Sequence, residues 1–441
     1  MHELSHEFTS RRVSPWGGMK FFQQTYERSG MRDALLEAGL PENTSNNSHK
    51  AIDLVEGFMV GAVLGAKRMA HAALLRHDEV LSEMFNWKKG MGSQSALSRY
   101  FRKYTLESSD RVFTGVMRRW WDQLHIKRIT IDMDSTILER YGKKQQGAVK
   151  GYNPKNPGGV SHRPLMAFCD ELKMVVNAWM RPGNASETGD ASIFLKHLLQ
   201  VTPAARIGLM RCDAGFYSGE FMDTLEDEKV PYMIRAKLTS ALLNRIVRIK
   251  EWYSDDSVFP GAQYAEVQYR SKEWGCSRRM VVVRRPRKEK ASQQLLLGDE
   301  VMHKQYEIGV FATSTTLPAS KVHALYNQRG ECENRIKELK YDYGIDGFAF
   351  KDIAAVDATF RLVMLAYNIM ALFKQKCLVD TRARQQLSTI RFQCIAVGAY
   401  LVKKGRNKVM KLAAEGKRRH FLEYFFDQVE LLKPPFKFST A

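Results

Sequence analysis

The sequence is poor in cysteine and lacks the cysteine spacings that bind zinc or form a disulfide framework. Its six cysteines lie far apart in a chain of 441 residues, and no two form a C-x-x-C pair. The longest apolar run, residues 362–373, is too short to cross a bilayer and predicts a buried helix. The N-terminal residues contain no apolar signal core. We therefore expect a cytoplasmic protein with reduced thiols.

Acidic residues are scarce relative to basic ones. The chain has 48 Asp plus Glu against 68 Lys plus Arg, so its formal net charge is +20 and its pI is near 9.6. Such a balance favours a polyanionic partner, and nucleic acid is the commonest one. A merely soluble basic protein and a membrane-surface binder remain open on charge alone. The length predicts two or three globular domains.

The first 120 residues have a helical pattern and predict a DNA-binding region. At residues 86–104, a glycine-bearing turn leads into a polar, basic helix with Ser93 or Ser95 as its N-cap. A helix-turn-helix presents its recognition helix after a short turn of this kind. A basic surface helix in a helical bundle explains the stretch about as well. The candidate DNA-binding residues here are Arg99, Arg102 and Lys103.

Strands replace helices after residue 121. The pattern predicts, in order, strands at 126–134, 164–169 and 174–180, a helix at 188–200, a strand at 205–212, a helix at 218–228 and a strand at 231–236. Hairpin-like strands then fill 237–311, a long helix covers 318–340, and more helix follows. This order predicts an α/β core interrupted by a mainly β insertion.

The phrase I-T-I-D-M-D-S-T-I-L-E, residues 129–139, places two carboxylates on one face of a strand. Because side chains alternate along a strand, Asp132 and Asp134 point away from the face of Ile131 and Met133. These two carboxylates are either solvated or bind a charged group. Asp213 ends a second predicted strand, where aspartate is also a common turn residue.

A third acidic position lies on the predicted long helix. At 100° per residue, Tyr326, Arg329, Glu333 and Lys340 share an arc of roughly 60°. One carboxylate among phosphate-binding donors suits a site for metal and phosphate. A solvated ion-pair face would instead space Glu and Lys four residues apart.

Ordered motifs from about residue 90 to 415 resemble the DDE transposases of bacterial cut-and-paste insertion sequences. Y-x2-R-x3-E-x6-K, residues 326–340, resembles their Y-R-E-K signature. I-D-M-D-S-T and R-C-D-A-G-F-Y-S-G-E-F resemble the segments that carry their first and second aspartates. Y-G-K-K-Q-Q-G-A-V-K-G-Y-N-P (141–154) followed by S-H-R-P-L (161–165) is similar to the insertion-sequence 1380 family.

The resemblance implies a catalytic and metal-binding triad of Asp134, Asp213 and Glu333, with Asp132 as a secondary polar residue. It implies an RNase H-like core and two Mg²⁺ ions, for which Mn²⁺ could substitute. The DNA-binding residues that it adds are Tyr326, Arg329 and Lys340, and Lys337 on the same predicted helix is a further candidate.

The implied function is cleavage at the ends of an insertion sequence and strand transfer into target DNA. The implied partners are double-stranded DNA, as terminal inverted repeats and target, and a second copy of the chain in a homodimer on that DNA. The protein would work in the bacterial cytoplasm, at the nucleoid. A related nuclease and a catalytically inactive DNA-binding protein are the alternatives.

These expectations divide the chain into five parts. They are a helical DNA-binding region (1–120), the first part of an RNase H-like core (121–236), a β-rich insertion (237–311), the second part of the core with the Glu333 helix (312–380) and a basic helical C-terminal region (381–441). The basic residues after 400 predict either a further phosphate-contacting surface or a solvated helical face.

Overall fold

A computed structural model of the chain describes residues 4–142, 144–286, 306–378 and 383–438. They form two compact units. The first comprises the residues up to His125, Leu138–Ala148 and Lys337–Phe438, and the second comprises Ile126–Ile137 and Val149–Ile336. Part of the predicted β insertion, 287–305, lies outside the described residues.

Fifteen α-helices lie within the described residues. In chain order they are α1 (Met19–Arg28), α2 (Met31–Glu37), α3 (Ala51–Val63), α4 (Met69–Ala73), α5 (Glu79–Met84), α6 (Gln94–Phe101), α7 (Leu106–Trp121), α8 (Glu187–Leu198), α9 (Gly219–Asp227), α10 (Ser240–Val247), α11 (Ala319–Asn327), α12 (Gly330–Tyr341), α13 (Ile353–Cys377), α14 (Leu387–Ile390) and α15 (Gly416–Glu430). Single helical turns of other types are Leu74–His77, Ala204–Arg206, Ala214–Phe216 and Arg391–Ile395.

The strands concentrate in the middle of the chain. They are β1 (Val13–Ser14), β2 (Leu124–His125), β3 (Ile129–Ser135), β4 (Leu138–Glu139), β5 (Val149–Lys150), β6 (Val160–His162), β7 (Leu165–Cys169), β8 (Met174–Trp179), β9 (Ile207–Cys212), β10 (Tyr232–Arg235), β11 (Tyr253–Ser254), β12 (Gln263–Tyr269), β13 (Arg278–Pro286), β14 (Tyr306–Thr313), β15 (Ala399–Lys404), β16 (Asn407–Leu412) and β17 (Phe436–Lys437). The seven strands and helices predicted between 126 and 236 are therefore confirmed in type and order.

Helix α13 forms the centre of the first unit. It is the one described helix long and apolar enough to cross a membrane, but its apolar window is fully buried inside the protein. It packs against α3 and α7. Its few polar groups are satisfied there, because Asp357 accepts a 2.6 Å hydrogen bond from Ser109 and pairs with Arg361 at 2.8 Å. The prediction of a buried helix at 362–373 is confirmed.

The sequence predicts a helical C-terminal region, but the structure also contains two strands there. Strands β15 and β16 pair antiparallel from Ala399 opposite Leu412 to Lys404 opposite Asn407. Gly405, at φ +61°, supplies the left-handed conformation that a two-residue hairpin turn requires. The helical prediction overlooked this glycine, which lies between the segments of Val402 and Val409.

One nine-stranded sheet organises the second unit, in the order β11-β12-β13-β14-β10-β9-β3-β7-β8. Strand β3 is parallel to β9, β9 is parallel to β10, and β7 runs antiparallel between β3 and β8. The described strands of the predicted insertion extend this sheet through the antiparallel pairing of β14 with β10. Through β14, the described strands of the insertion therefore belong to the same sheet as the core strands.

The long helix predicted at 318–340 is interrupted. It divides into α11 and α12 at residues 328–329, where backbone hydrogen bonds reach back three residues instead of four. The bonds from Glu331 to Gln328 and from Cys332 to Arg329 are 3.1 and 2.9 Å long. Gly330, which has low helix propensity, follows the break. A continuous helical wheel therefore does not describe residues 326–340.

Candidate active site

The candidate site lies at the carboxyl ends of β3 and β9. The parallel register places Met133 beside Cys212 and Asp132 beside Arg211. If that register is continued by one residue, Asp134 lies opposite Asp213, and the two acids are at the same end of neighbouring strands. Such an edge is where α/β sheets commonly place ligand-binding residues.

Asp134 is almost buried, with 8% of its surface exposed. Its carboxylate accepts a 2.8 Å hydrogen bond from the amide of Ser135 and pairs with Arg329 at 3.0 Å. Burial raises the pKa of Asp134 to about 7, and the charges of Asp213 and Glu333 add to that rise although Arg329 opposes it. The charges of both other predicted acids thus act on the Asp134 carboxyl.

Asp213 is fixed by the turn that follows it. Its carboxylate accepts a 2.8 Å hydrogen bond from the amide of Gly215. A Cβ atom on Gly215 would lie 2.9 Å from Oδ1 of Asp213 and 3.0 Å from Cγ of Glu187. A side chain at position 215 would therefore require one of these two acidic side chains to shift. Glu333 projects from the first turns of α12 and is exposed.

Asp132 serves a different purpose from Asp134. It is 0% exposed and forms a bidentate pair with Arg211, whose Nε and Nη2 atoms lie 2.6 and 2.7 Å from its two oxygens. Arg211 also contacts Asp170 at 3.0 Å, and Arg335 pairs with the same carboxylate. Asp132 is therefore neutralised inside the sheet by the arginine directly across the strands.

Two of the predicted DNA-binding residues are buried in the second unit. The Tyr326 hydroxyl donates to the carbonyl of Cys212 at 3.2 Å, and its ring packs on Phe311 with centroids 4.6 Å apart. Arg329 is engaged with Asp134 and, at 3.4 Å, with the carbonyl of Met133. In this structure both residues hold the strand ends that carry the aspartates, and neither is exposed to a surface ligand.

The remaining predicted DNA-binding residues belong to the first unit. Lys337 is exposed and Lys340 is half-buried, both in the second half of α12. Ser93 caps α6 by accepting a 3.2 Å hydrogen bond, and both Arg99 on this helix and Arg102 immediately after it are exposed. Lys103 instead donates to Glu42 and Asn43. Nine residues separate α5 from α6, more than the three or four of a helix-turn-helix.

The donor set at the site fits a hard divalent cation. Asp134, Asp213 and Glu333 offer only carboxylate oxygens, which Mg²⁺ and Mn²⁺ prefer. Within the described residues, the one group of three acidic, cysteine or histidine ligand atoms that lie within 4.8 Å of one another is Asp223, Glu226 and Cys276, so the three predicted acids are farther apart than this. Arg278 pairs with both of those carboxylates, so their negative charge is already compensated.

A fourth acid, which the sequence did not single out, lies beside the triad. Glu187 begins α8, after Ser186 has capped the helix by accepting a 3.0 Å hydrogen bond from Gly189. Its carboxylate accepts a 2.9 Å hydrogen bond from the hydroxyl of Ser135 and pairs with Arg163. Arg163 falls in the S-H-R-P-L motif. Glu187 follows an ordinary helix cap, which gives no sign of a functional role.

The family of the chain follows from a sequence comparison that agrees with this geometry. A family model described as "Transposase DDE domain group 1" matches residues 2–434. The chain belongs to this DDE transposase family. The family implies an enzyme that uses divalent metal, consistent with a carboxylate-only donor set. No curated protein matches the chain.

Among solved structures, this DDE-family chain is similar to a piggyBac transposase synaptic complex with hairpin DNA. The similarity covers 97% of this chain and 88% of that one, at 12% sequence identity and a TM-score of 0.45. Sequence identity and structural similarity are both low, so the family assignment rests on the family model.

Metal binding at the site should depend on pH through Asp134. Its pKa of about 7 means that the metal-free carboxyl holds a proton below neutrality, and a metal ion must displace that proton. We expect the affinity for Mn²⁺, measured by titration calorimetry, to fall about fivefold from pH 7 to pH 6 and to level off above pH 8. Asp134→Asn should abolish that dependence. An affinity unchanged between pH 6 and 8 in the wild type would contradict this assignment.

Glu187 should act by positioning the residues around the triad. Glu187→Gln removes the charge that holds Arg163 but retains an oxygen that can accept from Ser135. We expect the Mg²⁺ concentration needed for half-maximal DNA cleavage to rise by about 10-fold, as when other outer-sphere partners of metal sites are removed. Asp190→Asn is the matched control, because Asp190 lies on the same helix and pairs with Arg181. Equal effects of the two variants would indicate that α8 is merely destabilised.

Proposed function

We propose that this chain is the DNA transposase of a bacterial insertion sequence of the insertion-sequence 1380 type. It binds the terminal inverted repeats, cleaves the DNA at the ends of the element and joins the resulting 3′-hydroxyls to target DNA. The observation that carries this proposal is that Asp134 and Asp213 lie at the ends of the neighbouring strands β3 and β9, with the charge of Glu333 also acting on Asp134. The three acids come from segments 79 and 120 residues apart, yet two of them perturb the ionisation of the third.

The architecture of the second unit supports an RNase H-like assignment. The antiparallel β3-β7-β8 strands are followed by β9 and β10, which lie parallel to β3 on its other side. Helices α8 and α9 connect the successive strands β8, β9 and β10. In this arrangement the first and second aspartates end adjacent parallel strands, and a later helix brings the glutamate.

The triad would hold two Mg²⁺ or Mn²⁺ ions. Such a pair, when bound, activates water or a DNA 3′-hydroxyl and stabilises the leaving oxygen. Before metal and DNA arrive, Arg329 compensates the buried charge of Asp134 at 3.0 Å. A guanidinium at this point also suits a DNA phosphate. Tyr326 fixes the Cys212 carbonyl and thereby the backbone that precedes Asp213.

The basic residues of the first unit would bind the DNA outside the reaction centre. Lys337 and Lys340 suit the phosphate backbone, and the exposed Arg99 and Arg102 suit the terminal repeat. Two element ends must be paired for cut-and-paste transposition, so we propose a homodimer on DNA. The reaction would take place in the bacterial cytoplasm, at the nucleoid.

The experiment that tests the function uses the full chain and a labelled duplex that carries the element's own terminal repeat. With Mg²⁺ or Mn²⁺, we expect cleavage at the repeat end and joining of that end to a supercoiled target plasmid, and neither product in EDTA. Cleavage without joining would replace the transposase assignment with a nuclease. Binding with neither product would indicate a catalytically inactive DNA-binding protein.

A further inference from the structure

The hairpin of β15 and β16 carries a concentration of positive charge that the proposed active site does not use. Between residues 381 and 414 the sequence contains no Asp or Glu. Five of the basic residues in that interval lie on the hairpin: Lys403, Lys404, Arg406, Lys408 and Lys411. All five are exposed.

The strand register distributes these cations over the whole end of the hairpin. Lys403 lies opposite Lys408, and Lys404 lies opposite Asn407, on the other face. Arg406 is in the turn itself. Like charges directly opposite each other on two strands destabilise an isolated hairpin. The arrangement is therefore better explained by binding to a polyanion than by the stability of the fold.

The base of the hairpin contacts neighbouring elements, and its tip is exposed. Strand β1 pairs with β15 at Ala399 and Tyr400, and the guanidinium of Arg11 lies 3.6 Å from the centroid of the Tyr400 ring. Lys408 pairs with Glu83 of α5. Within the part of the chain that the structure describes, no acidic side chain pairs with Lys403, Lys404 or Arg406. The end of the hairpin is thus held in place and keeps its charges available.

We propose that this hairpin is a DNA-binding arm, in which its tip, residues 403–406, inserts into the major groove of duplex DNA. The proposal rests on the proposed function, because it names the surface by which the transposase holds DNA outside its reaction centre. Two paired strands about 4.8 Å apart fit a B-form major groove about 12 Å wide. Lysine and arginine side chains on both faces would contact the phosphates along the two groove walls.

The test measures binding of the full chain, in EDTA, to a labelled duplex that carries the terminal repeat. The variant K403A/K404A/R406A should bind more weakly. It should also reduce the slope of log affinity against log salt by roughly 2–3, at about 0.9 for each lost phosphate contact. Protection of guanine N7 atoms from methylation should disappear at one site in the major groove. Circular dichroism and thermal unfolding should match the wild type, because all three side chains are exposed.

The control K417A/R418A/R419A removes the same charge from the start of α15. It should leave the guanine footprint intact. An identical loss of affinity and footprint in both variants would overturn the proposal, because only overall charge would then matter. Equal affinity of the wild type for duplex RNA would also overturn it, since the A-form major groove excludes protein elements.

The outcomes separate this proposal from the proposed function. If the wild type cleaves and joins DNA but the hairpin variant binds like the wild type, only the hairpin proposal fails. If the wild type neither binds nor cleaves the terminal repeat, the proposed function is wrong, and the hairpin proposal that rests on it is wrong as well.

Discussion

Replacing Glu333 by glutamine is expected to lower metal-dependent DNA cleavage by more than about 10³-fold, which corresponds to roughly 4 kcal/mol of transition-state stabilisation. The substitution keeps the size and hydrogen-bonding shape of the side chain and removes the charge that a metal ligand supplies. Since Glu333 is exposed on α12, the free energy of unfolding should change by less than about 0.5 kcal/mol. Cleavage of the labelled terminal repeat and denaturant unfolding measure the two quantities.

The chain offers a close control two residues away. Glu331 is also exposed in the first turn of α12, but it is not among the groups that perturb Asp134. Glu331→Gln should therefore cleave at the wild-type rate. If Glu333→Gln cleaved DNA as well as Glu331→Gln did, the glutamate of the triad would be misassigned.

Asp132→Asn is expected to destabilise the second unit by about 3–5 kcal/mol, the cost of breaking a buried ion pair by removing one partner. Arg211 is 1% exposed and Asp132 is 0% exposed, so no water replaces the lost carboxylate. Asp134→Asn should cost much less, because the raised pKa of Asp134 shows that its neutral form is already tolerated. Unfolding in urea, followed by tryptophan fluorescence, gives the two values.

A double substitution distinguishes the structural role of Asp132 from a metal-binding one. In D132L/R211M neither partner leaves a buried charge, so the double variant should be more stable than Asp132→Asn. It should also retain measurable cleavage. The opposite pattern, wild-type stability of Asp132→Asn with complete loss of cleavage, would make Asp132 a metal ligand.

Alternation along strands made much of the site predictable from sequence. The spacing of two between Asp132 and Asp134 put both on one face, and the turn after Asp213 put that acid at a strand end. Alternation also places Arg211 on the same face as Asp213, two residues before it, but does not place it beside Asp132. The pairing of Arg211 with Asp132 requires the parallel register of β3 with β9, which no local pattern contains.

The helical wheel over residues 326–340 assumed one helix, whereas the structure has two, with a break at residues 328–329. Its prediction that Tyr326, Arg329 and Glu333 share one face is nevertheless consistent with their contacts and charge effects around the ends of β3 and β9. A single glycine after the break was the only local sign.

The sequence by itself determined the order of strands and helices from 126 to 236, the three acidic positions and the excess of positive charge. These properties depend on local periodicity and on composition, and both follow directly from the order and type of the residues. Only the tertiary structure decided which acids meet, that Asp132 is neutralised by Arg211, that Glu187 lies beside Asp213, and that residues 399–412 form a charged hairpin. Those outcomes depend on strand register, burial and charges brought together from distant segments, so no single stretch of sequence contains them.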